Sequence, residues 1–253
     1  MDIGKLLQLR KLGVVFNGNQ NSFKHLLQAI EKLNRSLISL SIRVQVSDGH
    51  ETPDMNMAEP TAFSFPKFLE SLNICGVKSG LPRWIKELNR LSKLTLCETH
   101  LGEQDMAVVG NLKGLQYLQL KHRSYVQTKL TLGEKQFQHL KILLIHGPDI
   151  TDISFNKTPK LEKMVWSFRE MKSISGMDRL PCLRALEQLS FTVTATQTRW
   201  KKLLKITPII QISSTMVTVK AKKKLEARMM MMPQPPTQPQ LPNYIQSITR
   251  SIH

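Results

Sequence analysis

The chain has 253 residues, of which 41% are hydrophobic and only 6% aromatic, and its formal net charge is +17. This length accommodates one solenoid or two modest domains with a buried core. The low aromatic content predicts a core of aliphatic side chains. The charge is uneven, since residues 192–253 hold ten Lys or Arg against the single acidic residue Glu226, whereas residues 1–191 hold 26 basic and 18 acidic residues.

Strong basicity suits a nucleic-acid or membrane partner, because contacts with phosphates release counterions. A solvated basic surface is the alternative, and we favour it for residues 1–191 because no aromatic and basic stacking platform accompanies the charge. The cluster Lys220–Lys224 suits a nuclear address or a phosphate patch, although such runs are more often simply solvated. We therefore expect neither a nucleic-acid nor a membrane partner.

The cysteines and the apolar stretches indicate a cytoplasmic protein. Cys75, Cys97 and Cys182 form no C-x-x-C pair, and an odd count does not describe a disulfide framework, so we expect reduced thiols. The N-terminus lacks the apolar core of a signal peptide. The longest apolar-leaning stretch, residues 206–219, is too short and too polar to span a membrane. Cytoplasmic localisation is predicted, with nuclear entry through residues 220–224 as the alternative.

No catalytic or metal-binding constellation stands out. The seven histidines include no pair at metal-ligand spacing beside Cys or acidic partners, and no G-x-S-x-G motif occurs. Ser92, His100 and Asp105 lie near each other in sequence, but unpatterned Ser, His and Asp occur in nearly any chain. We expect no catalytic residue, no metal, no cofactor and no small-molecule substrate, and hence no enzymatic activity.

An internal repeat dominates the sequence. The pattern apolar–x–x–apolar–x–apolar occurs eight times at intervals of 21 to 32 residues, and the last instance is Leu186-Leu189-Phe191. Its second and third apolar residues alternate as in a strand with one buried face. One such repeat cannot bury its apolar residues alone and must stack on neighbours. The eight instances begin at Leu9, Leu37, Leu69, Leu91, Leu115, Leu140, Leu161 and Leu186.

These spacings match the leucine-rich repeat. An amphipathic helix is the alternative, but it would continue the steps i, i+3, i+4 and i+7 over several turns. The sequence therefore predicts an α/β repeat solenoid: an irregular leucine-rich-repeat horseshoe of about eight repeats with a parallel sheet on its concave face. Each turn of the solenoid is called a coil. Aromatic residues just before the strands are expected to fill the wide side of the coils; they are Phe63, Phe65, Phe68 and Phe137.

The middle of the chain resembles the repeat domains of coiled-coil nucleotide-binding immune receptors of plants, especially grasses. Residues 80–85, GLPRWI, resemble the "LP-x-W-I" connection of that family, and residues 88–96, LNRLSKLTL, resemble its "L-x-x-L-x-K-L-x-L" strand. Leu101–Met106 is similar to its return helix, and Leu112–Leu120 to its "L-x-x-L-x-Y-L-x-L" element. Together with similar motifs near residues 3–12, 137–141 and 159–162, the resemblance covers about residues 1–191.

The resemblance implies a non-enzymatic domain that senses a pathogen-derived or host protein, or contacts another receptor module, and that restrains a nucleotide switch. The phosphate-binding G-x-x-x-x-G-K-[ST] loop and the coiled coil are missing, so the chain is interpreted as a fragment. A generic intracellular repeat scaffold or adaptor is the first alternative. A nucleic-acid binder that uses residues 199–228 is the second.

The concave sheet is the predicted binding surface, because curved solenoids use it for protein recognition. A tyrosine among lysines suits an acidic protein patch. The candidate residues are Lys93, Thr95, Glu98, Tyr117, Gln119, Lys121, His146, Glu162, Lys163 and Val165. Three domains are predicted: the repeat domain over residues 1–191, a basic Thr/Ile/Val-rich segment over 192–228 that holds a poor strand or two, and a disordered Met/Pro/Gln-rich tail over 229–253.

Overall fold

A computed structural model of the chain describes residues 7–45, 52–55, 65–147, 149–190 and 211–214. Residues 188–190 and 211–214 are described by their backbone. All of these belong to one compact unit, Met1–Met216. The second unit, Val217–His253, lies outside the described residues, as does the predicted tail at 229–253.

Parallel strands dominate the described part of the chain, and nine of them form the main sheet. In the order in which they pair, they are β1 (Lys11–Phe16), β2 (Ser39–Val44), β3 (Ser71–Cys75), β4 (Lys93–Cys97), β5 (Tyr117–Leu120), β7 (Ile142–His146), β9 (Lys163–Phe168), β11 (Ala185–Ser190) and β12 (Gln211–Ser214). Eight of the strands contain the predicted repeats, so the predicted parallel repeat solenoid is confirmed. The ninth, β12, lies in the segment where a poor strand was expected.

The apolar residues of neighbouring strands stack in register and form the core. Leu94 of β4 lies between Leu72 and Leu118, and all three are fully buried. At about 1.5–3 kcal/mol for each buried aliphatic side chain, these rows supply most of the favourable free energy of folding. The spacing of the repeats therefore sets the register, because each strand places its apolar pair beside that of the previous strand.

The predicted register of the last repeat is wrong by three residues. Leu186 pairs with Met164, so it occupies the first inward position of the strand rather than the position before it. The preceding role belongs to Leu183, which is buried and closes a turn onto Leu180 as the earlier repeats do. The pattern was misread because the next inward position, opposite Trp166, holds Gln188 instead of an apolar residue.

Helical segments connect the first strands. Helix α1 (Gln20–Glu31) follows β1, and it buries Phe23, Leu27 and Ile30, whose spacing places them on one face. Helix α2 (Glu103–Gly110) lies where the return helix was predicted. At its start the Asp105 carboxylate accepts a hydrogen bond from the Gly102 amide at 3.0 Å. Short 3-10 turns cover Arg83–Glu87 and Met177–Arg179.

A second sheet, which the sequence did not predict, connects the later strands. It consists of β6 (Lys129–Leu132), β8 (Asp152–Phe155) and β10 (Ser173–Ser175), all parallel, in the order β10-β8-β6. Buried Leu130 and Ile153 and half-buried Ile174 stand in register on its inner face. From β5 to β11 the chain thus alternates between the two sheets, one strand in each for every coil.

The aromatic residues expected to fill the wide side of the coils divide into two groups. Phe65 and Phe137 are buried as predicted. Phe68 is 41% exposed, so the expectation is wrong for it. Its ring lies instead under the guanidinium of Arg90, whose central carbon is 4.9 Å from the ring centroid. Phe63 lies outside the described residues.

Candidate functional site

The side chains that alternate with the apolar pairs lie on the other side of the main sheet, which we call the open face. The central outward position of each strand forms a row across the sheet, which we call the middle row. Its residues change from small or polar ones on the first strands to longer or apolar ones on the later strands. An amide-to-hydroxyl hydrogen bond of 3.0 Å joins Asn73 to Ser41 at the small end. In strand order the row is Gly13, Ser41, Asn73, Thr95, Gln119, Leu144, Val165 and Glu187.

Tyr117 organises the centre of the open face. The Nζ of Lys93, its register neighbour on β4, lies 4.7 Å from the centroid of the tyrosine ring. The Tyr117 hydroxyl donates a hydrogen bond to Oε1 of Gln119 at 3.4 Å. Burial raises the pKa of Tyr117, so the phenol stays protonated at neutral pH and keeps this bond. A cation held over an aromatic ring at an exposed site contributes about 0.5–1 kcal/mol, which is enough to orient the lysine.

An ion pair holds the far side of the open face. Lys163 of β9 donates from Nζ to Oε1 of Glu187 on β11 at 2.6 Å. Because both side chains are about 40% exposed (41% and 39%), the pair contributes at most about 1 kcal/mol to stability. Its structural effect is to hold two opposite charges at fixed positions beside Val165, the register neighbour of Glu187.

His146 ends β7 and contacts a buried hydroxyl. Its Nδ1 lies 3.1 Å from Oγ of Ser167, which stands opposite it in the register of β9. Burial lowers the pKa of His146, and the positive charge of Lys121 lowers it further. The imidazole is therefore neutral at pH 7, and one ring nitrogen can accept a hydrogen bond from a ligand.

All ten candidate residues lie on or directly beside β4, β5, β7 and β9. Glu98 and Lys121 follow β4 and β5, and each continues the main-sheet hydrogen bonding by one residue, with N–H···O distances of 2.8 Å. Glu162 immediately precedes β9. Thr95 and Val165 are each only 6% exposed, so the expectation of exposure is wrong for these two. Both side chains are short, and the side chains of their register neighbours on either side in the middle row cover them.

Sequence reasoning missed two pairs on the open face. Glu187 was not recognised as the partner of Lys163 because the register of its strand had been misread. The repeat Leu183-x-x-Leu186 was the available signal. Cys75 and Cys97, predicted only to be reduced, stand directly opposite each other on β3 and β4 as free cysteines. Their equivalence was visible in the repeat, since each directly follows the last apolar residue of its strand.

Two features are absent from the residues that the structure describes. Among them, no group of three or more His, Cys, Asp or Glu side chains is arranged to hold a metal ion. Within the same residues, no helix has the length and the apolar character needed to cross a bilayer.

Comparison with known proteins identifies the family. The family model described as "Leucine-rich repeat region" matches residues 1–210, so the chain belongs to the leucine-rich repeat family. It is related to rice disease resistance proteins, as the resemblance in the sequence had indicated. Over 206 residues it is 27% identical to the disease resistance protein PIK6-NP of Oryza sativa subsp. japonica, an alignment that covers 71% of this chain and 19% of that protein.

The disease resistance protein Pik-2 of the same organism is a further relative. It is 24% identical over 201 residues, which correspond to 70% of this chain and 19% of Pik-2. The chain thus spans about a fifth of the length of the curated relatives that it matches.

Proposed function

We propose that this chain is a non-enzymatic protein-recognition domain of a plant intracellular immune receptor, and that its open face contacts the ligand. The observation that carries the proposal is the cluster of fixed polar side chains on four neighbouring strands of one sheet. The relationship to rice disease resistance proteins supports the receptor context. The repeat architecture supports recognition, because solenoids present extended surfaces to other proteins.

The chemistry of the open face favours an acidic protein surface as the ligand. Positive charge is supplied by Lys93 on β4, Lys121 directly after β5 and Lys163 on β9, two strands from Tyr117. Tyrosine is a side chain that gains contact area at a low entropic cost. Leu144, half-buried in the middle row, gives the cluster an apolar centre. A partner that combines acidic groups with one apolar or aromatic residue would match it, and complementary charge would speed association.

The acidic residues of the open face would limit the choice of partner. Glu98 and Glu162 flank the lysines, and Glu187 neutralises Lys163 unless a ligand replaces it. A uniformly acidic surface would meet these carboxylates, so the pattern selects for mixed charge. This favours a specific protein contact over nonspecific attraction to polyanions.

In a full-length receptor, the domain would act by binding one conformational state in preference to another. A ligand shifts an equilibrium only by its difference in affinity for the two states. We propose that the open face contacts the nucleotide-switch region in the resting receptor and the ligand in the activated one, in the cytoplasm. A chain without that region would act in trans, as a decoy or as a partner of another receptor module.

The proposal is tested by removing side chains from the open face. The triple variant Lys93→Ala/Tyr117→Ala/Lys163→Ala removes the centre of the cluster, and Lys129→Ala/Lys172→Ala removes two exposed lysines beside the second sheet as a matched control. Proximity labelling in plant cells should show partners whose enrichment falls at least about tenfold in the triple variant, the loss expected for about 1.4 kcal/mol of binding free energy. Circular dichroism should show that both variants remain folded.

Two other outcomes would contradict the proposal. Equal enrichment of partners by the triple variant and the control would support a scaffold that binds through another surface. Salt-sensitive nucleic-acid binding that disappears on deletion of residues 199–228 would support the basic-tail alternative.

A further inference from the structure

Two thiols meet on the open face without a role in the recognition site. Cys75 is the last residue of β3 and Cys97 the last residue of β4, and the parallel register places them side by side. Both are half-buried and free, and a hydrogen bond links their side chains. The third cysteine, Cys182, is exposed and lies on a connecting segment.

The spacing of the two residues permits a covalent bond. Neighbouring strands lie about 4.7–4.9 Å apart, and disulfides join Cα atoms that are about 4.4–6.8 Å apart. Parallel neighbours direct their Cβ atoms the same way, so closing the bond requires a small local adjustment. Both cysteines end their strands, and the residues that follow them, Gly76 (φ 82°) and Glu98 (φ 53°), leave the extended conformation. The adjustment therefore falls at the edge of the regular strands rather than within them.

We propose that Cys75 and Cys97 form a redox modification site, which hydrogen peroxide converts into a reversible disulfide across β3 and β4. The proposal does not rest on the proposed function. Strain in the bond would make it readily reducible, as is typical of regulatory rather than structural disulfides. Cys182 has no cysteine opposite it in the register of the described strands and would not share this chemistry.

The surroundings of Cys97 disfavour it as the first thiol to react. Burial raises the pKa of the Cys97 thiol to about 12, and the adjacent Cys75 and Glu98 add to the effect, so this sulfur is a poor first nucleophile. In the proposed sequence Cys75 attacks the peroxide: its sulfur bonds to one oxygen, the O–O bond breaks, and water and a sulfenic acid result. Consumption of the Cys75 thiol removes two of the causes that raised the pKa of Cys97.

Cys97 completes the reaction. Its sulfur attacks the sulfenic sulfur of Cys75, the S–S bond forms, the S–O bond breaks, and the departing hydroxide leaves as water with the proton of Cys97. Together the two thiols lose two electrons and two protons, and the peroxide is reduced to two waters. Excess dithiol reverses the oxidation.

The experiment exposes the purified full chain to hydrogen peroxide, alkylates the remaining thiols and maps tryptic peptides by mass spectrometry. We expect peptides 68–78 and 94–113 to become cross-linked and to separate on treatment with dithiothreitol. The Cys182→Ser variant should form the cross-link at the same rate. In the Cys97→Ser variant, Cys75 should stop at a sulfenic acid that dimedone traps.

A second arm separates proximity in the fold from chance encounter. In urea-unfolded chain the same cross-link should form at least about tenfold more slowly, because the alignment of the strands is lost. A trivalent arsenical, which needs two neighbouring thiols but no oxidation, should protect Cys75 and Cys97 of the folded chain from alkylation. The proposal is overturned if both cysteines remain alkylatable at peroxide doses that oxidise Cys182, if the cross-link forms as fast in urea, or if the arsenical protects neither residue.

Discussion

The first coil and the interior coils carry the same sequence pattern but bury it to different depths. Leu12 and Val14 of β1 are only half-buried, whereas Leu94 and Leu96 of β4 are fully buried. β4 pairs with strands on both sides, while β1 pairs with β2 alone among the strands of the described ranges. The burial of a repeat leucine is therefore decided by the coils beside it, and the pattern alone does not report it.

The largest expected effect is that of an interior leucine against its equivalent in the first coil. Leu94→Ala should lower the free energy of unfolding by about 2–5 kcal/mol, since it leaves a cavity between two occupied rows. Leu12→Ala removes the same atoms from a half-buried position and should cost less than about 2 kcal/mol. Urea unfolding followed by far-UV circular dichroism measures both. Equal losses would show that β1 is covered as fully as β4.

Two glycines provide a second contrast, through the backbone. Gly176 has φ 75°, and a Cβ there would lie 1.8 Å from the carbonyl oxygen of Phe155. Gly176→Ala should therefore lower the free energy of unfolding by about 1–3 kcal/mol or more. Gly13, on β1, has nothing within 4 Å of such a Cβ, and Gly13→Ala should be neutral or slightly stabilising. Thermal melts of the two variants decide the matter. A clear loss in Gly13→Ala would mean that something lies over the first strand.

The smallest effect concerns the helix that follows the first strand. The Asn19 side chain accepts a hydrogen bond from the Ser22 amide at 3.0 Å and caps α1, so Asn19→Ala should cost about 1 kcal/mol. Asn21→Ala is the matched control, because it places a better helix former at an exposed position of the first turn. Hydrogen exchange should show faster opening of α1 in the first variant alone. If interior strands open equally, the first coil does not behave as a separate unit.

The strands of the main sheet were predictable because their signal is local. Each inward pair, such as Leu118 and Leu120, lies within a few residues of sequence and repeats at a regular interval. The second sheet was not predictable, since β10 has only three residues and β6 and β8 four each, too few for alternation to be distinguished from chance. The last strand was misplaced for a similar reason, because one polar residue, Gln188, interrupts its pattern.

The contacts of the open face were partly predictable. Eight of the ten candidate residues followed from alternation within each strand, so their placement on one face was foreseeable. Glu98 and Glu162 lie one residue outside their strands, where alternation does not place them on that face. Two pairs join neighbouring coils, Lys163 with Glu187 and Cys75 with Cys97. They depend on the register between strands that are more than 20 residues apart in sequence; the residues of the first pair are 24 residues apart. Burial of Thr95 depends on the size of its neighbours across the sheet, which a single strand does not reveal.

In both sheets the same number of residues separates one strand from the next, and this has a consequence for how such genes change. From β7 to β9, and from β8 to β10, equivalent residues are separated by the same 21 positions, as the contacts of His146 with Ser167 and of Asp152 with Ser173 show. An in-frame duplication or loss of one such coil would therefore add or remove a strand in both sheets and leave the remaining registers intact. Loss of a single codon inside a strand would instead turn core residues outward. Recombination between coils can thus lengthen the open face without redesigning the core.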